Sequence, residues 1–353
     1  MIAAGGTGGH VFPGIALARE IRARRPDAEV VFVGSRHGLE SKLVPQAGFP
    51  LELVRASGFA GKSAAAKLSA LAELPAGFFQ ARRLLCERRA RAVAGVGGYV
   101  TVPVVSAARS LGVPTLIHES NAYPGVANRF LNRFATRTAV GIAAANSRLS
   151  RPGVVTGTPV RPEFFSVPPL DPAAATRRLL VFGGSQGSRV LNRAMAGAVS
   201  ALAGEGLEVI HQTGESQFED TRVRYGPVPA GWRLVPFLPR IHEELAWADL
   251  VLARAGSQTL AELAAAGRPS ILVPFGSATH AHQAENARVF SAAGAAIAID
   301  ETSLSADVLL RAVADLLGDR RRLAAMGEKA RTFARPDAAR LLADLLFEAE
   351  ATR

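Results

Sequence analysis

Several kinds of residue are scarce in this 353-residue chain. It has one cysteine, Cys86, so neither an internal disulfide nor a cysteine-built metal site can form, which indicates a reducing compartment. The longest uncharged run, 17 residues between Arg91 and Arg109, is shorter than the roughly 20 apolar residues of a membrane helix. No basic stretch followed by an apolar core opens the chain, so we predict no secretory signal. Because 48% of the residues are hydrophobic, a disordered chain is excluded.

Acidic residues are scarce in only one half of the chain. The net charge is +11, yet residues 1–155 carry 20 basic and 8 acidic residues, and the remainder is nearly neutral. This asymmetry indicates an anionic partner for the first half, either nucleic acid or a phospholipid surface. An Arg-rich composition would explain the total but not the asymmetry. Tyr and Trp total only five, and no helix-turn-helix or RRM-like pattern is present, so we expect no nucleic-acid partner.

Short β-rich runs alternate with helix-length segments, a pattern that predicts an α/β fold with parallel sheets. The pattern restarts after a Pro-rich linker at 157–172, so we predict two Rossmann-like domains, 1–157 and 158–335. Pro336 interrupts the last helical region, and segment 336–353 is predicted as a helix that could return to the first domain. The predicted strands are Val30–Gly34, Leu51–Arg55, Ala92–Gly95, Pro114–His118, Arg137–Val140, Leu179–Phe182, Glu208–His211, Arg233–Val235, Asp249–Ala253 and Ser270–Val273. The predicted helices are Pro13–Arg24, Thr101–Leu111, Ser188–Ala203, Ser257–Ala266 and His282–Ala293.

Three glycine-rich turns occur at 5–10, 95–99 and 183–187. The first and third follow an apolar strand and precede a helix, where backbone N–H groups favour an anionic ligand. A dinucleotide fingerprint is rejected because its third glycine would fall at Val11 and no acidic residue ends the next strand. A P-loop is excluded because no Gly-Lys-Ser/Thr follows any of these turns. Any one of these turns, taken singly, could instead be a tight turn of the chain that binds no ligand.

A further candidate site follows the strand that ends near Ala253. Ser257 is predicted as the N-cap of a helix whose first N–H groups face a ligand. Glu262, inside that helix, could accept two hydrogen bonds from a sugar diol; an ordinary capped helix with an exposed Glu is the alternative. His280 and His282 stand two residues apart without nearby carboxylates or thiols, so we expect no metal site.

Nine motifs, taken together in their order and spacing, resemble the MurG family of bacterial peptidoglycan transferases, over essentially the whole chain. They are GGTGGHVFP (5–13), GVGGYV (95–100), HESNAYPG (118–125), GTPVR (157–161), GGSQGS (183–188), AWADLV (246–251), RAGSQTLAE (254–262), AAAGRPSILVPF (264–275) and HQAENA (282–287). The resemblance implies a GT-B fold, in which two Rossmann-like domains face each other across a cleft. It also implies inverting transfer of GlcNAc from UDP-GlcNAc to the C4 hydroxyl of MurNAc in lipid I, which forms lipid II for peptidoglycan synthesis.

The resemblance assigns roles residue by residue. In the donor site it implies Ser185, Ser257, Gln258 and Thr259 beside the diphosphate, Glu262 on the ribose, Leu238 reading uracil through its backbone, Asn121 and Gln283 on the GlcNAc hydroxyls, and Arg161 and Leu260 in matching segments. Thr7, Gly8, Gly9 and Tyr99 belong to turns at the cleft. His10 is the first candidate general base and Glu119 the second, with a positioning or packing role as the alternative for His10. No tightly bound metal or other cofactor is expected, because N–H groups and a helix dipole can stabilise departing UDP.

The resemblance also gives the basic half a partner, because lipid I lies in the cytoplasmic leaflet among anionic phospholipids. Segment 62–91 interleaves leucines and phenylalanines, including Phe78 and Phe79, with Lys and Arg, so we expect peripheral binding at the cytoplasmic face of the cell membrane. Alternatively, these leucines are buried in the core of the protein. Other cell-wall synthesis proteins are further possible partners.

The sequence departs from the family pattern in three places. The first strand is several residues shorter than usual, HESN replaces HEQN, and loop 278–281 lacks an acidic residue. A UDP-GlcNAc 2-epimerase or a glycolipid synthase would share the donor site but should lack the HESNAYPG and GVGGYV motifs.

Overall fold

The chain forms two compact units in a computed structural model that describes residues 1–36, 38–56, 64–276 and 281–352. The first unit is Met1–Val160 with Arg335–Arg353, and the second is Arg161–Ala334. The predicted boundaries, after Gly157 and Arg335, differ from these by three residues and one. Lys62, the loop 278–280 with His280, and the side chains of residues 64–72 lie outside the described residues.

The first unit contains a seven-stranded parallel sheet in the order β3-β2-β1-β4-β5-β6-β7. Its strands are β1 (Ile2–Ala4), β2 (Phe32–Gly34), β3 (Leu51–Leu53), β4 (Val93–Gly97), β5 (Thr115–Glu119), β6 (Arg137–Val140) and β7 (Val154–Val155). The short β1 pairs with β2 on one side and β4 on the other, so it occupies the centre of the sheet. The order reverses direction beside β1, and ligands of open α/β sheets bind near such a switch point.

Helices cover both faces of this sheet, as the near-continuous apolar strands require. They are α1 (Gly8–Arg24), α2 (Glu40–Gln46), α3 (Ala64–Glu87), α4 (Thr101–Ser110), α5 (Val126–Leu131) and α13 (Ala338–Ala351). One face buries α1 and α13, with Leu17 and Leu342 fully inside, and the other buries α3, α4 and α5. The predicted last helix is therefore α13, packed in the first unit against α1.

The second unit repeats the architecture with six parallel strands in the order β10-β9-β8-β11-β12-β13. Its strands are β8 (Arg178–Phe182), β9 (Glu208–Gln212), β10 (Trp232–Val235), β11 (Leu250–Ala253), β12 (Ser270–Leu272) and β13 (Ala296–Ala298). Its helices are α6 (Arg189–Gly204), α7 (Phe218–Tyr225), α8 (Ile241–Trp247), α9 (Ser257–Ala266), α10 (Ala281–Ala292), α11 (Ala306–Leu317) and α12 (Arg320–Arg331).

Helix α6 illustrates how the sequence forms these elements. Ser188 caps the helix by accepting a hydrogen bond from the backbone N–H of Leu191 at 3.4 Å. Its apolar residues recur every three or four positions and are buried against the sheet; they are Leu191, Ala194, Met195, Ala198, Val199 and Leu202. The helix therefore starts where the third glycine turn ends and holds that turn at the edge of the sheet.

Candidate functional site

The first glycine turn, at the end of β1, is held by Glu40, a residue that the sequence did not single out. The carboxylate of Glu40 is fully buried and accepts hydrogen bonds from the N–H of Gly6 (2.8 Å) and from the N–H and hydroxyl of Ser35 (2.9 and 2.8 Å). The second glycine turn packs on the first, because Gly98 (φ +84°) leaves no room for a Cβ beside the carbonyl of Gly5. Turns at β1 and β4 thus meet at the switch point of the sheet.

His10 is the last residue of the 5–10 glycine turn and lies in the first turn of α1. Its Nδ1 is 3.1 Å from the carbonyl oxygen of Gly5, and since a carbonyl only accepts, Nδ1 carries the proton in the neutral ring. Burial lowers the pKa of His10 below its ordinary value, opposed by the Gly5 hydrogen bond and by the charges of Glu119 and Glu40. The imidazole is therefore neutral at pH 7, with the lone pair on Nε2 available to accept a proton.

Glu119, at the end of β5, is engaged in holding the loop that follows it. Its Oε1 accepts from the N–H and the side-chain amide of Asn121 (2.9 and 3.0 Å), and its Oε2 accepts from the N–H of Gly125 and the side chain of Asn128 (both 2.9 Å). The carboxylate is 3% exposed. These four hydrogen bonds occupy both carboxylate oxygens and make Glu119 the anchor of the HESNAYPG loop.

His118 precedes Glu119 and is also buried. Its Nε2 donates to the carbonyl of Gly157 at 3.0 Å, whereas its Nδ1 has no hydrogen-bond partner within the described part of the chain. Burial lowers the pKa of His118; the Gly157 bond and Glu119 oppose this shift, and His10 adds to it. The ring is thus a neutral link between β5 and the segment that ends the first unit.

In the second unit, the third glycine turn follows β8 and exposes Ser185 and Gln186. It ends at Ser188, the cap of α6, so the chain passes directly from the turn into the helix. An exposed turn at the N-terminus of a 16-residue helix suits an anionic group.

Helix α9 provides a second N-terminus in this unit. The N-cap is Gly256, not Ser257 as predicted: Gly256 has the extended backbone of a cap (φ −69°, ψ 142°) and its carbonyl accepts the first helical bond, from Leu260. Ser257, Gln258 and Thr259 form the first turn and are half-buried. Glycine has no side chain to cap the helix, and the positive end of the α9 dipole at this turn suits an anionic group.

Glu262 lies one turn further along α9. Gln258 donates to its carboxylate through Nε2 at 3.2 Å. Burial raises the pKa of Glu262 to about 7, and the Gln258 hydrogen bond and the charge of Arg161 oppose the shift. The half-buried carboxyl of Glu262 ionises most readily when further hydrogen-bond donors, such as the hydroxyls of a diol, reach it.

Residues 273–276, which follow β12, are held by an ion pair between the buried Arg254 and the half-buried Glu301. Arg254 donates to the carbonyls of Val273 and Pro274 (3.2 and 3.3 Å) and pairs with Glu301 at 2.6 Å. Glu301 also accepts from the N–H of Gly276. Gln283, the predicted sugar-binding residue of α10, accepts through its amide oxygen from the N–H of Phe275 at 3.1 Å. These contacts fix residues 273–276 against Arg254, which lies shortly before α9.

The predicted site residues fall into two groups, one in each unit. Thr7, Gly8, Gly9, His10, Tyr99, Glu119 and Asn121 are in the first unit, and Arg161, Ser185, Leu238, Ser257, Gln258, Thr259, Leu260, Glu262 and Gln283 are in the second. Thr7 and Tyr99 are exposed, whereas the side chains of Leu238 and Leu260 are buried in the core, so only their backbones could reach a ligand.

Two negative findings apply to the described residues. Across 1–36, 38–56, 64–276 and 281–352, no three His, Cys, Asp or Glu side chains are grouped as ligands for a metal ion. Among the helices in those ranges, none has the length and apolarity needed to cross a bilayer.

Two parallel-sheet units, with glycine turns and helix N-termini at the ends of their strands, define the GT-B class of glycosyltransferases. Solved structures of similar proteins support this fold class. The crystal structure of MurG from Acinetobacter baumannii superposes with a TM-score of 0.81 at 31% identity, covering 99% of this chain and 98% of that one. The calicheamicin glycosyltransferase CalG4 superposes with a TM-score of 0.72 at 19% identity over 100% and 98% of the two chains, which supports the fold alone.

Sequence comparisons narrow the class to a family. The pattern of the glycosyltransferase family 28 N-terminal domain matches residues 1–140, and that of the C-terminal domain matches residues 178–342. Proteins named UDP-N-acetylglucosamine–N-acetylmuramyl-(pentapeptide) pyrophosphoryl-undecaprenol N-acetylglucosamine transferase are similar over almost their full length. That of Methylococcus capsulatus is 42% identical over 99% of this chain and 98% of its own. That of Halorhodospira halophila is 44% identical over 96% and 94%.

The chain therefore belongs to glycosyltransferase family 28 and, within it, to the MurG family. The predicted family, the GT-B fold class and the predicted enzyme class, a hexosyltransferase, are confirmed.

Proposed function

We propose that this enzyme moves GlcNAc from UDP-GlcNAc to the C4 hydroxyl of MurNAc in lipid I, with inversion at the anomeric carbon, and so makes lipid II for cell-wall synthesis. The observation that carries the proposal is the 42% identity, over 98% of its length, to a relative named for this transfer. The acceptor-side motifs GVGGYV and HESNAYPG, which an epimerase should lack, are both structured: the first packs Gly97 against the His10 ring, and the second forms the loop held by Glu119.

The second unit would bind the donor. Cleavage of the anomeric bond leaves negative charge on the UDP diphosphate, and the first turn of α9 and the 183–187 turn at α6 offer N–H groups to it. Glu262 would accept hydrogen bonds from the ribose hydroxyls. With these groups supplying positive potential, we expect catalysis without a tightly bound metal or other cofactor.

The first unit would bind the acceptor and supply the general base. The neutral ring of His10, with Nδ1 donating to Gly5, presents Nε2 to the attacking hydroxyl. Glu119, our second candidate, holds its own loop with four hydrogen bonds, which favours His10.

The first unit would also bind the anionic cytoplasmic leaflet. In α3, Phe79 is 65% exposed and lies edge-to-face with Phe78, but Arg83 pairs with Glu87 and Arg88 pairs with Glu29. The α5 surface, formed by Val126, Arg129, Phe130 and Arg133, carries two arginines. Between Glu119 and Glu163 the sequence has six arginines and no acidic residue. Helices α3 and α5 both pack on α4.

The apolar part of the α5 surface supports the same role. Val126 is 75% exposed and Phe130 is 48% exposed, one helical turn apart. Arg129 and Arg133 form no ion pair with any acidic residue in the described ranges. We therefore propose a lipid contact formed by α3 and α5 together, which would place the enzyme peripherally at the cytoplasmic face.

The test is incubation of the purified protein with labelled UDP-GlcNAc and a lipid I analogue, with and without EDTA. Formation of the labelled disaccharide lipid supports the function, and transfer that survives chelation supports metal-independent catalysis. Release of free UDP without transfer would instead favour an epimerase-like activity.

A further inference from the structure

A row of four polar side chains, three of them buried and the last half-buried, lies behind the 183–187 turn of the second unit. His211 of β9 is 1% exposed; its Nδ1 is 2.6 Å from the hydroxyl of Tyr225 and its Nε2 is 3.0 Å from Oδ1 of Asn192. The side-chain amide of Asn192 donates to Oε1 of Gln217 at 3.1 Å, and Gln217 donates through Nε2 to the carbonyl of Gln186 at 2.9 Å. The row therefore ends on the turn, one residue after Ser185.

The direction of every hydrogen bond in this row is determined. Asn192 also donates to the carbonyl of Thr213 at 3.0 Å, and because a carbonyl only accepts, the Asn192 oxygen must face His211. Nε2 of His211 therefore carries the proton. Burial lowers the pKa of His211 to about 3, so the ring is neutral, Nδ1 accepts, and the Tyr225 hydroxyl donates.

The backbone of Thr213 and Gly214 also packs directly against the 183–187 turn. Gly187 (φ +71°) leaves no room for a Cβ against the carbonyl of Thr213, and a Cβ on Gly214 would lie 2.7 Å from the carbonyl carbon of Gln186. The 213–217 segment is thus in direct contact with the 183–187 turn.

The row of polar side chains could serve only to stabilise the fold, but its last hydrogen bond, from Gln217 to Gln186, indicates a further role. Ser185 and Gln186 are exposed, and Gln217 is half-buried, so the final bond fixes a surface turn rather than the core. A turn rich in glycine has many accessible conformations, and a bound anion needs its N–H groups in one of them.

We propose that Tyr225, His211, Asn192 and Gln217 are positioning residues that hold the 183–187 turn in the conformation that binds the donor diphosphate. This inference deepens the proposed function and rests on it.

The test compares two ligands, one with the diphosphate and one without it. Gln217→Leu removes the bond to Gln186 on a half-buried side chain. Titration calorimetry should show UDP-GlcNAc affinity reduced about 2- to 10-fold, the effect of one net hydrogen bond, with uridine affinity unchanged. The matched control is Gln80→Leu in the first unit. It removes a similar bond, from the N–H of Arg55 to Oε1 of Gln80 at 2.8 Å, and should change neither affinity.

A second variant tests whether the hydrogen bond that Gln217 donates to the Gln186 carbonyl is what positions the turn. Gln217→Glu keeps the acceptor for Asn192 but places a carboxylate oxygen against the Gln186 carbonyl. UDP-GlcNAc affinity, relative to the wild type at each pH, should fall at pH 7. It should recover as the pH approaches about 4.3, where the introduced carboxyl gains a proton to donate.

The outcomes separate the two proposals. Equal losses for uridine and UDP-GlcNAc in Gln217→Leu, or no loss for UDP-GlcNAc, would overturn the positioning role. Failure of the folded wild-type protein to bind UDP-GlcNAc at all would overturn the proposed function and, with it, this inference.

Discussion

Gly97 lies directly against the imidazole of His10: a Cβ at Gly97 would be 2.9 Å from Cγ of the ring. The second glycine turn therefore sets the position of the ring from one side while Gly5 sets it from the other. This double constraint keeps Nε2 in one place, as a general base requires.

Replacement of His10 by Ala should lower kcat about 10²- to 10⁴-fold, because the proton acceptor is lost, while UDP-GlcNAc affinity stays unchanged. In the wild type, kcat at saturating UDP-GlcNAc should fall on acidification only below pH 6.5, since the pKa of His10 is lowered and the neutral ring is the active form. Steady-state kinetics across pH 5–8 provide the check. A variant with wild-type kcat would show that His10 only packs under the turn.

Glu262 should make donor binding depend on pH. Its pKa is raised to about 7, and hydroxyl donors bind the charged form, so UDP-GlcNAc affinity should rise as pH increases through about 7 and then level off. Glu262→Gln should flatten the profile and weaken binding. Calorimetric titration with UDP-GlcNAc at a series of pH values measures this. A profile for the variant as steep as that of the wild type would contradict the role of Glu262.

Glu40→Gln should destabilise the protein by about 2–3 kcal/mol, because an amide group would face donors that now find a buried carboxylate. It should also reduce kcat/KM, since the turn that Glu40 holds carries His10. Urea unfolding followed by kinetics gives both numbers. Glu87→Gln, at an exposed surface pair, is the control and should change the free energy of unfolding by less than about 0.5 kcal/mol.

Binding to anionic vesicles should depend on α5 as well as α3. Phe79→Ser and Phe130→Ser should each weaken co-sedimentation with phosphatidylglycerol vesicles. Arg133→Glu changes the charge by two units and should weaken it about 30-fold, because each charge near the surface contributes about 1 kcal/mol. Val223→Ser, at a 72% exposed valine of the second unit, is the control. If only the α3 variant lost binding, α5 would not be part of the lipid contact.

The α/β pattern of the sequence predicted most of the sheets. All ten predicted strands are present within a few residues, because buried parallel strands are unbroken apolar runs. The two-residue β7, with exposed valines, and β13, an Ala-Ile-Ala strand with only its first residue buried, were missed, since neither presents a run of large buried side chains. Helix α1 begins at Gly8, five residues before the predicted Pro13, because the glycines themselves form its first turn.

The candidate site was less accessible to sequence reasoning. The motifs identified turns and helix starts, which are local features. Glu40 has no motif, and its role depends on a fold that brings it within 2.8 Å of Gly6, 34 residues away. The Tyr225–His211–Asn192–Gln217 row likewise joins two helices, a strand and a loop. To find this row from the sequence, one would have to look for polar residues within buried strands, such as His211 in the apolar run of β9.

The return of α13 to the first unit has a consequence for biosynthesis. Its leucines complete the core under α1, and its Asp344 pairs with Arg24, 320 residues earlier. Domains usually fold in the order in which the ribosome releases them. Here the later-made unit can finish folding first, while the earlier one waits for the last helix to emerge, so a nascent chain stalled before Ala338 would expose the apolar side of α1 to chaperones and proteases.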